Sequence, residues 1–252
     1  MPGLVPGIHV YRAASKTWMA GTSPEMTARV GQRNGKMRLR DPAISKRRIL
    51  AVAADEFARK GYDGARTDEI AQRCRISKNL IYHYFDSKEA LFIAVLEDAY
   101  ATLRERQQAM KLEGSDPLEG ITRLVIDTFK YWAKSRNFIA YLNSENYYNA
   151  KHIRKSKAIR SAYPELIENI RGLLRRGEQQ GVFRSGVDPV ELYISISALT
   201  YHFFSNQSTF SVIFGRNFRA RDVIKERLDH IEDVILGYLR FKPTARGKIE
   251  RK

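Results

Sequence analysis

The fold of this chain is decided by residues Thr67 to Leu91, which read T-D-E-I-A-Q-R-C-R-I-S-K-N-L-I-Y-H-Y-F-D-S-K-E-A-L. Their pattern predicts two short helices, a tight turn at Arg75 and Ile76, and the start of a further helix. Thr67 is the expected N-cap of the first helix, and the acids that follow it suit the positive end of the helix dipole. Two short helices joined in this way form the arrangement that places one helix in a DNA groove.

The second of these helices has one apolar and one polar side. Ser77 is its expected N-cap, and the residues predicted to point inward are Ile76, Leu80, Ile81 and Phe85. The residues left facing outward are Lys78, Asn79, Tyr82 and His83. A long cation and an amide can read base edges, whereas hydroxyl and imidazole groups hold phosphates. A plain amphipathic surface helix shares the binary pattern, but it does not usually expose a tyrosine beside a histidine.

Helices are also expected on both sides of this pair. The preceding helix is predicted to begin near Ile44 with Ser45 as its cap and to end at Gly61. After the pair, Asp86 and Glu89 form a candidate capping box for a fourth helix.

Residues 45–91 resemble the DNA-binding domain of the TetR/AcrR family of bacterial transcriptional regulators. The motifs that carry the resemblance are K-R-R-I-L-A-V-A-A-D-E-F-A-R-K-G-Y, T-D-E-I-A and S-K-N-L-I-Y-H-Y-F-D-S-K-E-A-L. The resemblance implies an all-α, cytoplasmic, homodimeric regulator that binds a near-palindromic DNA operator. It also implies that a larger second helical domain binds a small-molecule effector and forms the dimer.

The resemblance assigns roles to individual side chains. Phosphate contacts are implied for Thr67, Tyr82, His83 and Lys88, and contacts with base edges or the adjoining backbone for Ser77, Lys78 and Asn79. Two positions depart from the family pattern. Arg75 replaces the usual turn glycine, so we expect a positive φ there at a cost of about 1 kcal/mol. Tyr84 stands where the family often has histidine, which leaves that phosphate contact open.

The remainder of the chain is predicted to be helical. Pro164 suits the first turn of one helix, and Asp188 with Pro189 suits the start of another over Val190–Phe204. The polar stretch Ser205–Phe210 is expected to be a loop. The predicted division is a DNA-binding domain at 44–90 and an effector-binding and dimerisation domain at 91–242.

Dimerisation is expected through the last two helices. The last one repeats apolar residues at intervals of four, three, four and three, which suits packing against a symmetry mate. The predicted interface residues are Leu192, Ile196, Leu199, Phe203, Ile224, Leu228, Ile231, Ile235 and Tyr238.

The effector is not identified by the sequence. Candidate pocket residues are Trp132, Tyr141, Asn143 and Tyr147, although aromatic residues at helical spacing more often form core.

The net charge of +16 favours an anionic partner. Residues 1–48 contain ten Lys or Arg against two acids, and the last twelve residues contain five against one, whereas residues 49–100 contain seven against nine. We expect residues 1–43 to be a basic, disordered extension and translation of the chain to start at Met26 or Met37. Residues 243–252 are expected to be a basic tail. The cations from Arg29 to Arg48 form either a phosphate-binding arm or a solvated leader.

Cys74 is the single cysteine, so an internal disulfide and a cysteine-rich zinc site are excluded. The five histidines are scattered, so their spacing indicates neither a metal site nor a nucleophilic triad. No cofactor is expected. No apolar run is long enough to span a membrane. Two functions are therefore compared: a transcriptional repressor released by a ligand, and an enzyme or interaction protein with an appended DNA-binding head.

Overall fold

The computed structural model describes residues 42–161 and 163–240. The predicted extension and tail lie outside this part of the chain, except that Pro42 and Ala43 form the first residues of a helix. Of the predicted basic arm, Lys46, Arg47 and Arg48 also belong to that helix. The remaining cations of the arm lie outside the described residues.

The described residues form ten α-helices and no strand, which confirms the all-α class. The helices are α1 Pro42–Gly64, α2 Thr67–Cys74, α3 Lys78–Phe85, α4 Lys88–Ala109, α5 Pro117–Lys134, α6 Arg136–Tyr147, α7 Lys157–Arg160, α8 Pro164–Gln179, α9 Pro189–Ile213 and α10 Arg221–Arg240. A 3-10 helix, Ile153–Lys155, lies between α6 and α7.

Several predicted helix ends are confirmed. Gly61 interrupts α1 with φ 68° and ψ 178°, a conformation that only glycine adopts without strain. Ser77 caps α3, Pro164 lies in the first turn of α8, and the Asp188 carboxylate accepts the backbone N–H groups of Val190 and Glu191 at the start of α9.

Three predictions about helix ends were wrong. Ser45 is a buried residue inside α1, because the helix begins earlier, at Pro42. Thr67 does not cap α2, since its hydroxyl is turned toward Tyr82. Asp86 has φ 58° and ends α3, so the cap of α4 is Ser87, whose Oγ accepts the Ala90 N–H at 3.0 Å.

The predicted loop Ser205–Phe210 is also helical, because α9 continues to Ile213. Its polar side chains have partners that are compatible with a helix. Gln207 Nε2 donates to the Phe218 carbonyl at 3.0 Å, and Asn206 Nδ2 donates to the His202 carbonyl at 2.9 Å.

Two hydrophobic clusters hold the described residues together. The first combines α1 to α4 with α6, α7 and the end of α5. Tyr141 illustrates the connection, because its hydroxyl donates to the Ala54 carbonyl of α1 at 2.6 Å. The second lies among α5, α8, α9 and α10. The DNA-binding helices therefore share their core with α6, and the division at 90/91 stays a prediction.

Candidate nucleic-acid interface

The exposed edge of α3 carries the polar residues that the sequence singled out. Lys78, Asn79 and His83 are exposed and Tyr82 is half-buried, whereas Ile81 is fully buried and Phe85 nearly so on the opposite side. Ser77 Oγ accepts the Leu80 N–H at 3.3 Å and is thereby occupied as the helix cap. The polar row is thus presented to solvent by a helix whose other side is fixed in the core.

The turn before α3 has the strained backbone that its sequence predicted. Arg75 has φ 52° and ψ 45°, and its N–H donates to the Gln72 carbonyl at 3.0 Å. The next N–H, that of Ile76, donates to the Ala71 carbonyl at 3.0 Å. These bonds end α2 and fix the direction in which α3 starts.

Thr67 and Tyr82 form a contact that the sequence did not predict. Thr67 is 6% exposed, and its Oγ1 lies 3.1 Å from the Tyr82 hydroxyl. A side chain so covered and so engaged has little surface to offer a phosphate. The geometry makes Thr67 a support for Tyr82, and its expected phosphate contact stays a prediction.

The two lysines of the predicted site differ in their surroundings. Lys78 is exposed and pairs with Asp68 at 3.0 Å, a bond that raises the pKa of Lys78. Lys88 donates to the Asp63 carbonyl at 3.1 Å and lies 5.0 Å from the centre of the Tyr62 ring. Burial lowers the pKa of Lys88. Lys88 is thus tied to the end of α1, so the expected phosphate contact is not supported.

A buried carboxylate anchors α2 to α1. Glu56 is fully buried, and its carboxylate lies 2.8 Å from the Arg59 guanidinium, 2.9 Å from the Lys60 ammonium and 3.5 Å from Arg73 of α2. Burial raises the pKa of Glu56, but the hydrogen bonds from Lys60 and Arg59 outweigh it, so the pKa lies below its usual range. These ion pairs position the helix from which α3 departs.

The four predicted effector residues do not surround one cavity. Trp132 and Tyr141 are buried in the core, and the Tyr141 hydroxyl is used by α1. Asn143 bonds Tyr201 and Ser205 at the surface, and Tyr147 is 80% exposed. The exposure of Tyr147 does not favour a place in an enclosed pocket, and its effector role stays a prediction.

A different group of tyrosines gathers beside α4. Its members are Tyr100, Tyr131, Tyr163 and Tyr193. Burial raises the pKa of Tyr100 and Tyr131 to about 12. The Tyr193 hydroxyl accepts a hydrogen bond from Gln107 of α4 at 3.2 Å. The four come from α4, α5, the start of α8 and α9, so no periodicity in the sequence connects them.

A surface cavity of about 240 Å³ opens next to this group, between α4 and α7. It is lined by Glu97, Tyr100, Ala101, Arg104, Glu105, Gln108, Ala158 and Ile159. Tyr100 lines the cavity and also contacts Tyr163, with ring centres 6.3 Å apart. A small molecule entering here would meet the Tyr100 ring with its hydroxyl and side chains of both charge signs.

The predicted dimer residues fall into two sets. Leu192, Ile196, Phe203, Ile231 and Ile235 are at most 3% exposed within one chain. They pack in the chain's own core, so their burial does not favour an interface role, which stays a prediction for these five. The regularly spaced apolar residues of α10 pack against α5 and α9 of the same chain. Packing within a chain and packing in a dimer require the same spacing, so the pattern alone does not distinguish them.

The other predicted interface residues keep accessible surface. Tyr238 is 46% exposed, and Leu199, Ile224 and Leu228 are half-buried. Other exposed apolar residues on the same two helices are Val190, Ile194, Val212, Ile213 and Val234. Ile194, missed from the sequence, is 52% exposed.

Among residues 42–161 and 163–240, no helix is long and apolar enough to cross a membrane, and no cluster of three or more His, Cys, Asp or Glu could hold a metal ion. The described fold thus presents a short helix-turn-helix unit with an exposed reading helix, attached to a larger helical body. That combination defines a DNA-binding protein of the transcription-regulator class.

Comparison with known proteins gives the family. Residues 49–95 match the model of bacterial regulatory proteins of the tetR family, and residues 117–235 match the tetracyclin repressor-like C-terminal domain. The chain is 30% identical over 192 residues to the HTH-type transcriptional repressor NicS of Pseudomonas putida, which covers 76% of this chain and 91% of NicS. It is 25% identical over 225 residues to the regulator RutR of Escherichia coli, covering 85% and 99% of the two chains.

A solved structure has the same fold. A transcriptional regulator from Saccharomonospora viridis, described in complex with choline, aligns with a TM-score of 0.63 and 24% identity over 79% of this chain and all of that one. The chain belongs to the TetR family of transcriptional regulators.

Proposed function

We propose that this chain is a homodimeric repressor that binds a near-palindromic operator in the cytoplasm and leaves it when a small molecule binds the helical body. The observation that carries the proposal is the exposed row on α3, whose central tyrosine is held by Thr67 at 3.1 Å. Repressor function is named for the relative NicS. No enzymatic activity is part of the proposal.

The DNA contacts are proposed as follows. Lys78 and Asn79 face base edges or the adjoining backbone, and the start of α3 at Ser77 points its free N–H groups toward a phosphate. Tyr82 and His83 donate to phosphates on either side of the groove. Since residues 49–100 contain more acids than cations, recognition depends on these placed groups more than on a charged surface.

The dimer is proposed to form through the accessible apolar residues of α9 and α10. Ile194, Leu199, Leu228, Val234 and Tyr238 are the central candidates, because each retains surface that the single chain does not cover. Apolar patches left open on a soluble chain mark interaction surfaces. A two-fold dimer would set two α3 helices against the two halves of an operator.

The effector is proposed to enter the cavity between α4 and α7 and to contact the tyrosine group. α4 is the connecting element, because its first turn follows α3 directly and its second half lines the cavity with Tyr100, Arg104 and Gln108. A ligand that binds more tightly to one arrangement of α4 shifts the population of positions that α1 to α3 adopt. The affinity for the operator changes with that shift.

The test is selection of operator DNA from the source genome, including the region upstream of the gene, followed by footprinting with and without a metabolite library. A protected near-palindrome in the presence of competitor DNA, released by at least one metabolite, is expected. Equal affinity for unrelated DNA, unchanged by Tyr82→Ala, would overturn the proposal in favour of an enzyme or interaction protein with a non-specific head.

A further inference from the structure

A histidine and a glutamate are buried together where the helical body meets the DNA-binding helices. His152 is 0% exposed and Glu145 is 1% exposed. The Glu145 carboxylate accepts three hydrogen bonds: from the N–H of His152 at 3.1 Å, from the N–H of Ile153 at 3.0 Å, and from His152 Nδ1 at 2.5 Å. Because the carboxylate accepts from Nδ1, the proton of the neutral ring resides on that nitrogen.

The other ring nitrogen has no hydrogen-bond partner among the described residues. His152 Nε2 is buried and lies 4.0 Å from Glu89 Oε1 in the first turn of α4. Glu89 also lies 2.7 Å from the Lys155 ammonium, whose hydrogen bond holds the pKa of Glu89 below its usual range. The carboxylate facing Nε2 is therefore charged.

The imidazole also contacts α1 and α4, the two helices on either side of the helix-turn-helix pair α2 and α3. Its centre lies 4.4 Å from that of Tyr62, next to the Gly61 break in α1, and 5.0 Å from that of Phe92 in α4. The same segment holds α1 a second time, since the Tyr148 hydroxyl hydrogen-bonds the Asp63 carboxylate. His152 thus lies at the junction of α1, α4 and α6.

We propose that His152 is a positioning residue of the DNA-binding head, and that protonation of its ring on Nε2 joins Glu145 to Glu89 and so fixes the start of α4 against the helical body. The titratable and charged groups around the ring are Tyr62 and Asp63 of α1, Lys88 and Glu89 of α4, Glu145 of α6, Tyr148 and Lys151 after it, and Lys155 of the 3-10 helix.

The chemistry gives the direction of the effect. The neutral ring leaves a buried lone pair at Nε2 facing a carboxylate, and two acceptors do not attract each other. The imidazolium has a donor at each nitrogen and a carboxylate beside each donor, which compensates for its burial. A protonated Nε2 donates toward the Glu89 carboxylate, and this attraction closes the 4.0 Å gap between the two atoms. DNA-binding helices fixed in this way lose less conformational entropy when they bind DNA.

The first measurement needs no DNA and uses the full chain. Ring NMR of ¹⁵N-histidine and hydrogen exchange, corrected for intrinsic rates, are followed from pH 8 to pH 5.5. We expect the His152 ring to charge and the amides of residues 61–64 and 87–91 to gain protection as the pH falls. His152→Asn keeps a donor toward Glu145 but cannot be charged, so its protection should not follow pH.

Glu89→Gln is the second variant, because Glu89 is partly exposed and the substitution keeps the buried pair intact. It should charge His152 less readily and lose the gain in protection. Equal pH dependence of protection in the wild type, His152→Asn and Glu89→Gln would overturn the inference, as would a His152 ring that stays neutral to pH 5.5.

The second measurement rests on the proposed function and uses the selected operator. In a His83→Gln background, which removes the histidine on α3, the dissociation constant should be at least about threefold lower at pH 6 than at pH 8. His152→Asn should abolish that difference, and a difference that survives it would overturn the inference. Protection that follows pH together with no specific DNA binding at any pH would support the His152 contact and refute the proposed function instead.

Discussion

The hydroxyl groups of Thr67 and Tyr82 lie 3.1 Å apart, so the first turn of α2 holds the central aromatic residue of the reading helix. Either hydroxyl can be the donor in this contact, and when Thr67 donates, the Tyr82 hydroxyl keeps its own hydrogen for a phosphate. Removing either hydroxyl tests whether the contact and its orientation matter for DNA.

Tyr82→Phe should weaken operator binding about tenfold, because a hydrogen bond to a charged group contributes roughly 1.5 kcal/mol or more. Thr67→Val should give a smaller loss, since the phenol remains but is no longer held. Tyr147→Phe is the matched control, because Tyr147 is 80% exposed and lies outside the head. Fluorescence anisotropy on labelled operator measures all three, and equal affinity of Tyr82→Phe and Tyr147→Phe would refute the assigned role.

The two lysines of the head should differ in the salt dependence of binding. Lys78→Met should lower affinity and reduce the slope of log K against log salt by about 1 if its ammonium neutralises a phosphate. Lys88→Met should leave the slope unchanged and lower the melting temperature, since Lys88 serves the Asp63 carbonyl. Titrations at four salt concentrations and thermal unfolding distinguish the two. A reduced slope for Lys88→Met would restore the phosphate contact expected from the sequence.

Arg75 has φ 52°, where a non-glycine residue is strained. Arg75→Gly removes this strain but increases the entropy of the unfolded chain, so the free energy of unfolding should rise by a net amount of about 0.5 kcal/mol. Arg75→Ala removes the same charge and keeps the strain, which makes it the control for both stability and DNA affinity. Urea unfolding gives the comparison, and a less stable Arg75→Gly variant would argue that the arginine side chain stabilises the turn.

The reading helix was predictable because its determinants are local. Ser77, the turn at Arg75 and the spacing of Ile81 and Phe85 all lie within one short segment. The cap of α4 was misplaced because Asp86 and Ser87 are both good caps, and only the backbone shows that Asp86 ends α3.

Features formed by distant residues were not predictable. The tyrosine group joins residues of α4, α5 and α9 with Tyr163, which precedes α8. Glu145 meets His152 through a loop that has no periodic pattern. On α10, Ile231 and Ile235 have the spacing of a dimer interface but are buried within their own chain. Sequence spacing identifies an apolar face, and only the fold shows what covers it.

The buried Glu56 should make the head sensitive to acid. Its folded pKa lies below the usual value, so its stabilising contribution is complete at neutral pH and is lost as the pH falls below about 4.3 toward the folded pKa. Glu56→Gln should lower the free energy of unfolding by about 2 kcal/mol at pH 7, and by less in acid. The exposed Glu113→Gln is the control. Unfolding curves at pH 7 and pH 4 that show the same difference between wild type and Glu56→Gln would contradict the ion-pair account.

The dimer prediction concerns Ile194, which is 52% exposed on α9. Ile194→Glu places a charge on the proposed interface, where its burial would be costly, so the dissociation constant of the dimer should rise at least about tenfold. Ile44→Glu is the matched control, because Ile44 is 60% exposed at the start of α1, far along the chain from the two interface helices. Sedimentation equilibrium measures both variants, and thermal unfolding checks that neither loses its fold. If Ile194→Glu stays as dimeric as Ile44→Glu, the accessible apolar face of α9 is not the interface. If the wild type is itself a monomer at micromolar concentration, two chains would have to pair only when both are bound to the operator.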